Sequence, residues 1–330
     1  MIQYFKIIRP LNVFVVAITM LLFRYCIIDV PDYIHYDFKP YLSDISFYIL
    51  LITTLLVTAG GYVINDIFDV DTDQVNRPNK MIVGKHISEN DAFKYYTILS
   101  GLAILGSFIL MFTSRQMKIS MLPIIIIIVL YLYASTFKKM MLVGNLVIAL
   151  CSTLPILLLS FYELRLNDFD PAVVILFTQG IGLSAMVYGI FAFLTTLIRE
   201  IIKDIEDMAG DDVIGATTLP IVAGIKVSKL FILFIQILTL SILLLITYYF
   251  LVAKIAIAFY GITLMLILPL LIQIGLVIWA KRPSQFRKAS FVGKIHMVLG
   301  VLTLLYFAPG TAPHIFNQMF NFLAQLLSIL

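Results

Sequence analysis

Two acidic stretches interrupt an otherwise apolar chain: NDIFDVDTD, residues 65–73, and REIIKDIEDMAGDD, residues 199–212. Asp66, Asp69 and Asp73 are spaced i, i+3, i+7. Asp204, Asp207 and Asp211 repeat that spacing at an offset of 138 residues (204 minus 66). At about 100° per residue, each triplet falls within a wedge of about 60° on one helical face. Asp71, Glu206 and Asp212 point elsewhere. Like charges on one face repel, and they persist only where a cation compensates them or bulk water screens them. Oxygen donors with no His or Cys nearby suit Mg2+. Two such faces opposite each other could hold Mg2+ with a diphosphate bridging between them. Neighbouring bases would then take the remaining phosphate oxygens. The candidates are Arg77, Lys80 and Lys85 behind the first stretch, Lys138 further on, and Arg199 and Lys203 at the start of the second.

A single acidic run at a helix end is ordinarily a solvated surface. Two runs in matching phase, each beside basic residues, are poorly explained that way, and packing alone has no use for six carboxylates. The four histidines, His35, His86, His296 and His314, are scattered and take no role. Cys26 and Cys151 lack metal-type spacing and read as core residues.

The elements that must position these acids are membrane spans. The 330 residues are 61% hydrophobic and 13% charged, against about 25% charged in soluble domains. Mean hydropathy is +1.03. Runs of about 20 apolar residues recur along the whole chain, and they predict nine spans near 8–28, 46–66, 90–113, 118–136, 142–162, 171–198, 227–250, 254–280 and 288–308. The chain therefore reads as an all-α polytopic membrane protein with one domain, 1–330, and no soluble module. The first span shows no cleavage site and reads as retained. The last segment, IFNQMFNFLAQLLSIL, follows the breaker PGTAP and reads as an extra interfacial helix over 312–330. With a cytoplasmic N-terminus, 17 of the 23 Lys and Arg residues fall on that side. The other six are Arg24, Lys39, Arg115, Lys118, Arg165 and Lys254, so the bias supports this orientation. Both acidic stretches end even-numbered spans and so face the cytoplasm. The net charge of +4 fits the same bias and needs no nucleic acid.

At this point the residues resemble the UbiA superfamily of intramembrane prenyltransferases. NDIFDVDTD matches the family's N-D-x-x-D-x-x-x-D signature, and NRPNKMIVGKHIS (76–88) is similar to the basic loop that follows. IRPLNVF resembles the N-terminal R-P-x-N and places Arg9 and Asn12. YASTFKKMMLVGNLVIA resembles Y-S-x-x-L-K-R…G-N and places Lys138 and Asn145. KDIEDMAGDD with GATTLP is similar to the second signature, and FVGKIHMVLG to a late segment. The resemblance implies a nine-helix ring around a central cavity and Mg2+-dependent transfer of an isoprenyl group from its diphosphate. It implies that Asn65, Asp66, Asp69, Asp73, Asp204, Asp207 and Asp211 hold metal and diphosphate. The membrane would be the plasma (inner) membrane of a prokaryote.

The second stretch looks most like the branch that geranylgeranylates geranylgeranylglyceryl phosphate. An aromatic quinone precursor such as 4-hydroxybenzoate remains open as acceptor. In the implied mechanism, metal and Lys/Arg draw charge on to the leaving diphosphate. The apolar cavity then shields an allylic cation, and the faces of Tyr62, Tyr133 and Tyr188 are candidates to stabilise it. Asn65, Asp69 and Lys138 are the candidate catalytic residues, and the group that takes the acceptor proton is undecided. A transporter with acidic cation sites is the competing class, but its charges would sit at the midplane on broken helices. A silent membrane scaffold is a third.

Overall fold

Backbone crossing hydrocarbon must satisfy its own N–H and C=O groups, which these apolar runs do as helices. The computed structural model describes residues 2–29, 40–164 and 180–307. Within them, nine helices are long and apolar enough to cross a membrane. They are α1 (Pro10–Ile28), α2 (Asp44–Phe68), α3 (Glu89–Ser114), α4 (Met117–Ser135), α5 (Val143–Glu163), α6 (Gly182–Val213), α7 (Leu219–Val252), α8 (Ala256–Trp279) and α9 (Pro283–Phe307). The starts carry ordinary signals. Ser43 accepts from the Ser46 N–H before α2, and Ser88 from the Asp91 N–H before α3. Pro10 opens α1 in the position where a missing N–H costs nothing. Among the described residues, the β structure is one bridge between Val83 and Ile87.

The expected spans agree to within a few residues, with two differences. α6 runs on to Val213, so the second acidic stretch lies inside a continuous helix and not behind one. α7 starts at Leu219 and passes through a kink at Gly224, whose φ of 79° only glycine adopts readily. Residues 171–179 of the expected sixth span lie outside the described residues, as does the expected helix over 312–330.

The main helix contacts are α2 with α3 and α4, α6 with α5, α7 and α9, and α8 with α9. α1 touches α2, α5 and α9 and completes a ring. Six helices (α1, α2, α4, α5, α6 and α9) line a central apolar cavity of 610 Å³, to which α3, α7 and α8 contribute no side chain. Phe112, Leu245 and Trp279 on the outside are exposed, as on any lipid-facing surface. At one end, Phe23 of α1, Phe47 and Leu50 of α2, Leu159 and Tyr162 of α5 and Leu304 of α9 are buried together and form a floor. There Arg24, 2% exposed, pairs with the equally buried Glu163 at 3.5 Å and donates to the Leu42 carbonyl at 2.9 Å. Glu163 also accepts the Tyr41 N–H at 2.7 Å. This network ties the ends of α1, α2 and α5.

Candidate active site

The opposite end gathers the acids. α2 stops at Phe68, and Asp69 (φ −92°, ψ 1°) bends the chain into a short helix, Val70–Asn76. Hydrogen bonds from the Asp69 N–H to the Asn65 carbonyl (2.9 Å) and from the Asp73 N–H to the Asp69 carbonyl (2.8 Å) keep helical register across the bend. The short helix docks on α6. Asn76 donates to the Asp207 carbonyl at 2.9 Å and accepts the Gly210 N–H at 3.0 Å. Only glycine allows this approach, because a Cβ at 210 would lie 2.4 Å from the Asn76 amide and 2.7 Å from the Thr72 carbonyl.

The two stretches thereby face each other across a polar pocket of 70 Å³. Asn65, Asp69 and Asp73 line it from one side, and Asp204, Asp207 and Asp211 from the other. The bases are interleaved with them. Arg77 bonds Asp207 at 2.7 Å, and Lys138 from the α4–α5 loop pairs with Asp69, which also accepts from Asn65. Asn145, at the start of α5, donates to Asp204 at 2.8 Å. Glu206 does not line the pocket and meets Arg287 at 3.0 Å and Arg77 at 3.6 Å, and Asp71 and Asp212 are exposed.

Arg9 has a left-handed backbone (φ 51°), a costly conformation for a residue with a Cβ. That turn lays its guanidinium over the Tyr62 ring, 5.0 Å from the centroid, and 2.6 Å from Asp66. Five residues, Arg9, Asn65, Tyr133, Glu200 and Lys203, line both the polar pocket and the apolar cavity and form a neck between them. The cavity extends from the neck for about 15 Å along α1 (Arg9 to Thr19) and about 22 Å along α6 (Lys203 to Tyr188). Asn12, Tyr62, Tyr188 and Arg199 line the cavity alone.

Most candidates from the sequence are therefore brought together, with three exceptions. Lys80 and Lys85 are exposed on the loop behind the short helix and line neither space. Asp66 lines neither, because Arg9 holds it. Sequence reasoning passed over Glu200, Lys139 and Asn76. Glu200 stands four residues before Asp204, on the same helical face, and that spacing was available to find it. Asn76 acts through a contact between remote segments that no local pattern announces.

The pocket suits Mg2+. Its acidic donors are oxygens only, and among the described residues no His or Cys lines it. Asp73 and Asp211 have no ion-pair partner among the described residues. Burial, with Asp69 and Asp66 close by, pushes the Asp73 carboxyl up to about 6, so its ionised form would gain from a cation. Among the described residues no three His, Cys, Asp or Glu side chains converge as a ready metal cage. Mg2+ does not demand one, since it is usually held through one or two carboxylates together with substrate phosphates and water.

Comparison with known proteins follows the same lines. A profile of the UbiA prenyltransferase family matches residues 38–311. A digeranylgeranylglyceryl phosphate synthase from Methanothermobacter thermautotrophicus is 31% identical over 229 residues, 68% of each chain. One from Sulfurisphaera tokodaii is 29% identical over 270 residues, 82% of this chain and 87% of that one. A solved structure concerning a digeranylgeranylglyceryl phosphate synthase superposes with a TM-score of 0.55 at 24% identity, covering 94% and 98% of the two chains. A UbiA homologue from Archaeoglobus fulgidus, solved with GPP and Mg2+, superposes with a TM-score of 0.53 at 15% identity over 92% and 99%. These two likenesses show the fold. The chain belongs to the UbiA prenyltransferase family. It is an integral membrane prenyltransferase, and the transporter and scaffold readings fall.

Proposed function

We propose that the protein transfers a geranylgeranyl group from geranylgeranyl diphosphate to geranylgeranylglyceryl phosphate, with Mg2+ as cofactor. The observation that carries this reading is the neck, where a pocket of interleaved acids and bases meets an apolar cavity about 15–22 Å long. The sequence relatives support the acceptor, being digeranylgeranylglyceryl phosphate synthases.

Mg2+ held by Asp69 and Asp73 on one side and Asp207 and Asp211 on the other would supply Lewis acidity to the leaving diphosphate. Arg77, Lys138 and Lys203 bind its remaining oxygens, and Asn65 fixes the carboxylate of Asp69. Asn145 holds Asp204 in place, while Asp66 aims Arg9. The carbon end of the donor lies at the neck, against Tyr133, with Tyr62 and Asn12 further into the cavity. The apolar wall excludes water from the allylic cation. Glu200 faces both spaces, with one carboxylate oxygen taken by Arg199 at 2.5 Å, so its other oxygen is placed to accept the acceptor's hydroxyl proton. The chain works as one membrane domain in a prokaryotic plasma membrane. Its acidic end faces the cytoplasm, as the Lys/Arg distribution supports.

The test uses purified full-length protein in detergent with labelled geranylgeranyl diphosphate and Mg2+. Geranylgeranylglyceryl phosphate and 4-hydroxybenzoate are offered in separate tubes. Labelled digeranylgeranylglyceryl phosphate, lost with EDTA and in Asp69→Ala and Asp207→Ala, is the expected result. Product on 4-hydroxybenzoate alone would replace the acceptor, and diphosphate binding that ignores Mg2+ would overturn the pocket assignment.

A further inference from the structure

Two cations stand on the wrong side of the neck for the diphosphate. Arg199 and Lys294 line the apolar cavity and are absent from the polar pocket. On α6, Arg199 lies about 12 Å of helix axis deeper than Asp207. Lys294 lies about three turns into α9, well away from that helix's first residue, Pro283. A charge facing hydrocarbon is costly unless an opposite charge meets it. Among the described residues, four cations line this cavity (Arg9, Arg199, Lys203 and Lys294) against one carboxylate, Glu200. Arg9 is answered by Asp66, and one arm of Arg199 by Glu200. The Nε of Arg199 is buried with no hydrogen-bond partner. Lys294, exposed at the cavity wall, has no ion-pair or hydrogen-bond partner among the described residues; Arg199, Arg9 and Lys203 close by share its sign, and Glu200 is the acid near enough to act on it.

We infer that Arg199 and Lys294 form a second anion subsite, on the cavity side of the neck, that binds the phosphate monoester headgroup of a lipid acceptor and selects for it. The inference rests on the prenyl-transfer reading above. Its chemistry follows from position. An anion here sits in an apolar chamber, so it must carry a hydrocarbon tail to be there in quantity. Lys203 and Arg9 stand between this subsite and the acid pocket and offset the repulsion between the two phosphates. Glu200 adjoins Arg199, so an acceptor anchored by its phosphate presents a neighbouring hydroxyl to the neck.

The test compares wild type, Lys294→Met, Lys294→Arg and Arg199→Gln as full-length protein in detergent, with thermal midpoints as the folding check. For Lys294→Met, KM for geranylgeranylglyceryl phosphate rises at least about tenfold, as expected from losing one charge-assisted bond. KM for the diphosphate and kcat stay within about twofold, and Lys294→Arg restores the acceptor KM. Arg199→Gln raises the same KM and also lowers kcat, because it releases Glu200. A second measurement needs no turnover: equilibrium binding of an alkylglycerol phosphate in EDTA. Wild type binds it about tenfold more tightly than Lys294→Met does, binds the phosphate-free alkylglycerol no better than the variant, and is not emptied by equimolar inorganic phosphate. Unchanged acceptor KM in both neutral variants, a parallel rise in both substrates' KM, or displacement by inorganic phosphate would overturn the subsite. Lys294-dependent lipid binding without any prenyl transfer would keep the subsite and sink the reaction reading. Normal transfer with indifferent variants would do the reverse.

Discussion

At the scale of single residues, Asp69, Asp204 and Asp207 each have an assigned neighbour in the pocket, and among the described residues Asp73 and Asp211 do not. Asn145 gives Asp204, on α6, its hydrogen bond at 2.8 Å. Asn145→Ala would strand that carboxylate, a loss of about 1–3 kcal/mol for a group left without its donor. We expect kcat/KM to fall about 10- to 100-fold and the thermal midpoint to drop by a few degrees. Lys138→Met removes the charge that holds Asp69, and we expect at least about a 100-fold loss in kcat/KM, partly restored by Lys138→Arg. Because acids and bases in the pocket are interleaved, Mg2+ and diphosphate need each other's counter-charge. Together they should raise the thermal midpoint more than the sum of either alone, and an additive effect would argue that they bind apart. The carboxylates were legible in the sequence because charge in an apolar chain is conspicuous and helical spacing gives its phase. Lys294 sat unread in FVGKIHMVLG. A lone lysine near a span end has many ordinary uses, and its place on the cavity wall beside Arg199 shows only in three dimensions.

At the scale of elements, the pocket is made by one docking event, the short helix Val70–Asn76 on α6. Gly210→Ala would push against the Asn76 amide and the Thr72 carbonyl, and backbone cannot yield as a side-chain tip does. Overpacking of this kind costs about 1–3 kcal/mol. We expect a lower thermal midpoint together with a loss of Mg2+-dependent diphosphate binding. A variant that unfolds earlier but still binds would show that the two acidic faces do not depend on this contact. The lengths of the spans were legible from hydropathy. The extension of α6 to Val213 was not, because window hydropathy falls as soon as the acids begin, although helical phase continues through them. The bend at Asp69 was also hidden, since the i→i−4 bonds on either side preserve the spacing that made the motif look like one helix.

At the scale of the whole molecule, the nine spans and the one-sided placement of the acids were legible from hydropathy and Lys/Arg bias, the ring was implied by the family resemblance, and the floor was not legible. Arg24 and Glu163 are far apart in sequence and on different helices, and nothing local marks them as partners. Removing one member of a buried pair costs up to about 3–5 kcal/mol, and Arg24 would keep the exposed Asp44 at 3.4 Å as its remaining acid. Glu163→Gln should therefore lower the thermal midpoint by several degrees, with KM for the prenyl diphosphate unchanged. A changed KM would mean that the floor shapes the cavity as well as supporting it. The cavity runs about 15–22 Å from the neck, against a hydrocarbon thickness of about 30 Å. The buried aromatic and ionic layer beneath it occupies the remainder. A well sunk this far into a bilayer is one closed layer away from being a pore. Among the described residues that layer is closed by packing, so copies of the protein, empty or full, are expected to leave the ion gradients across the membrane intact.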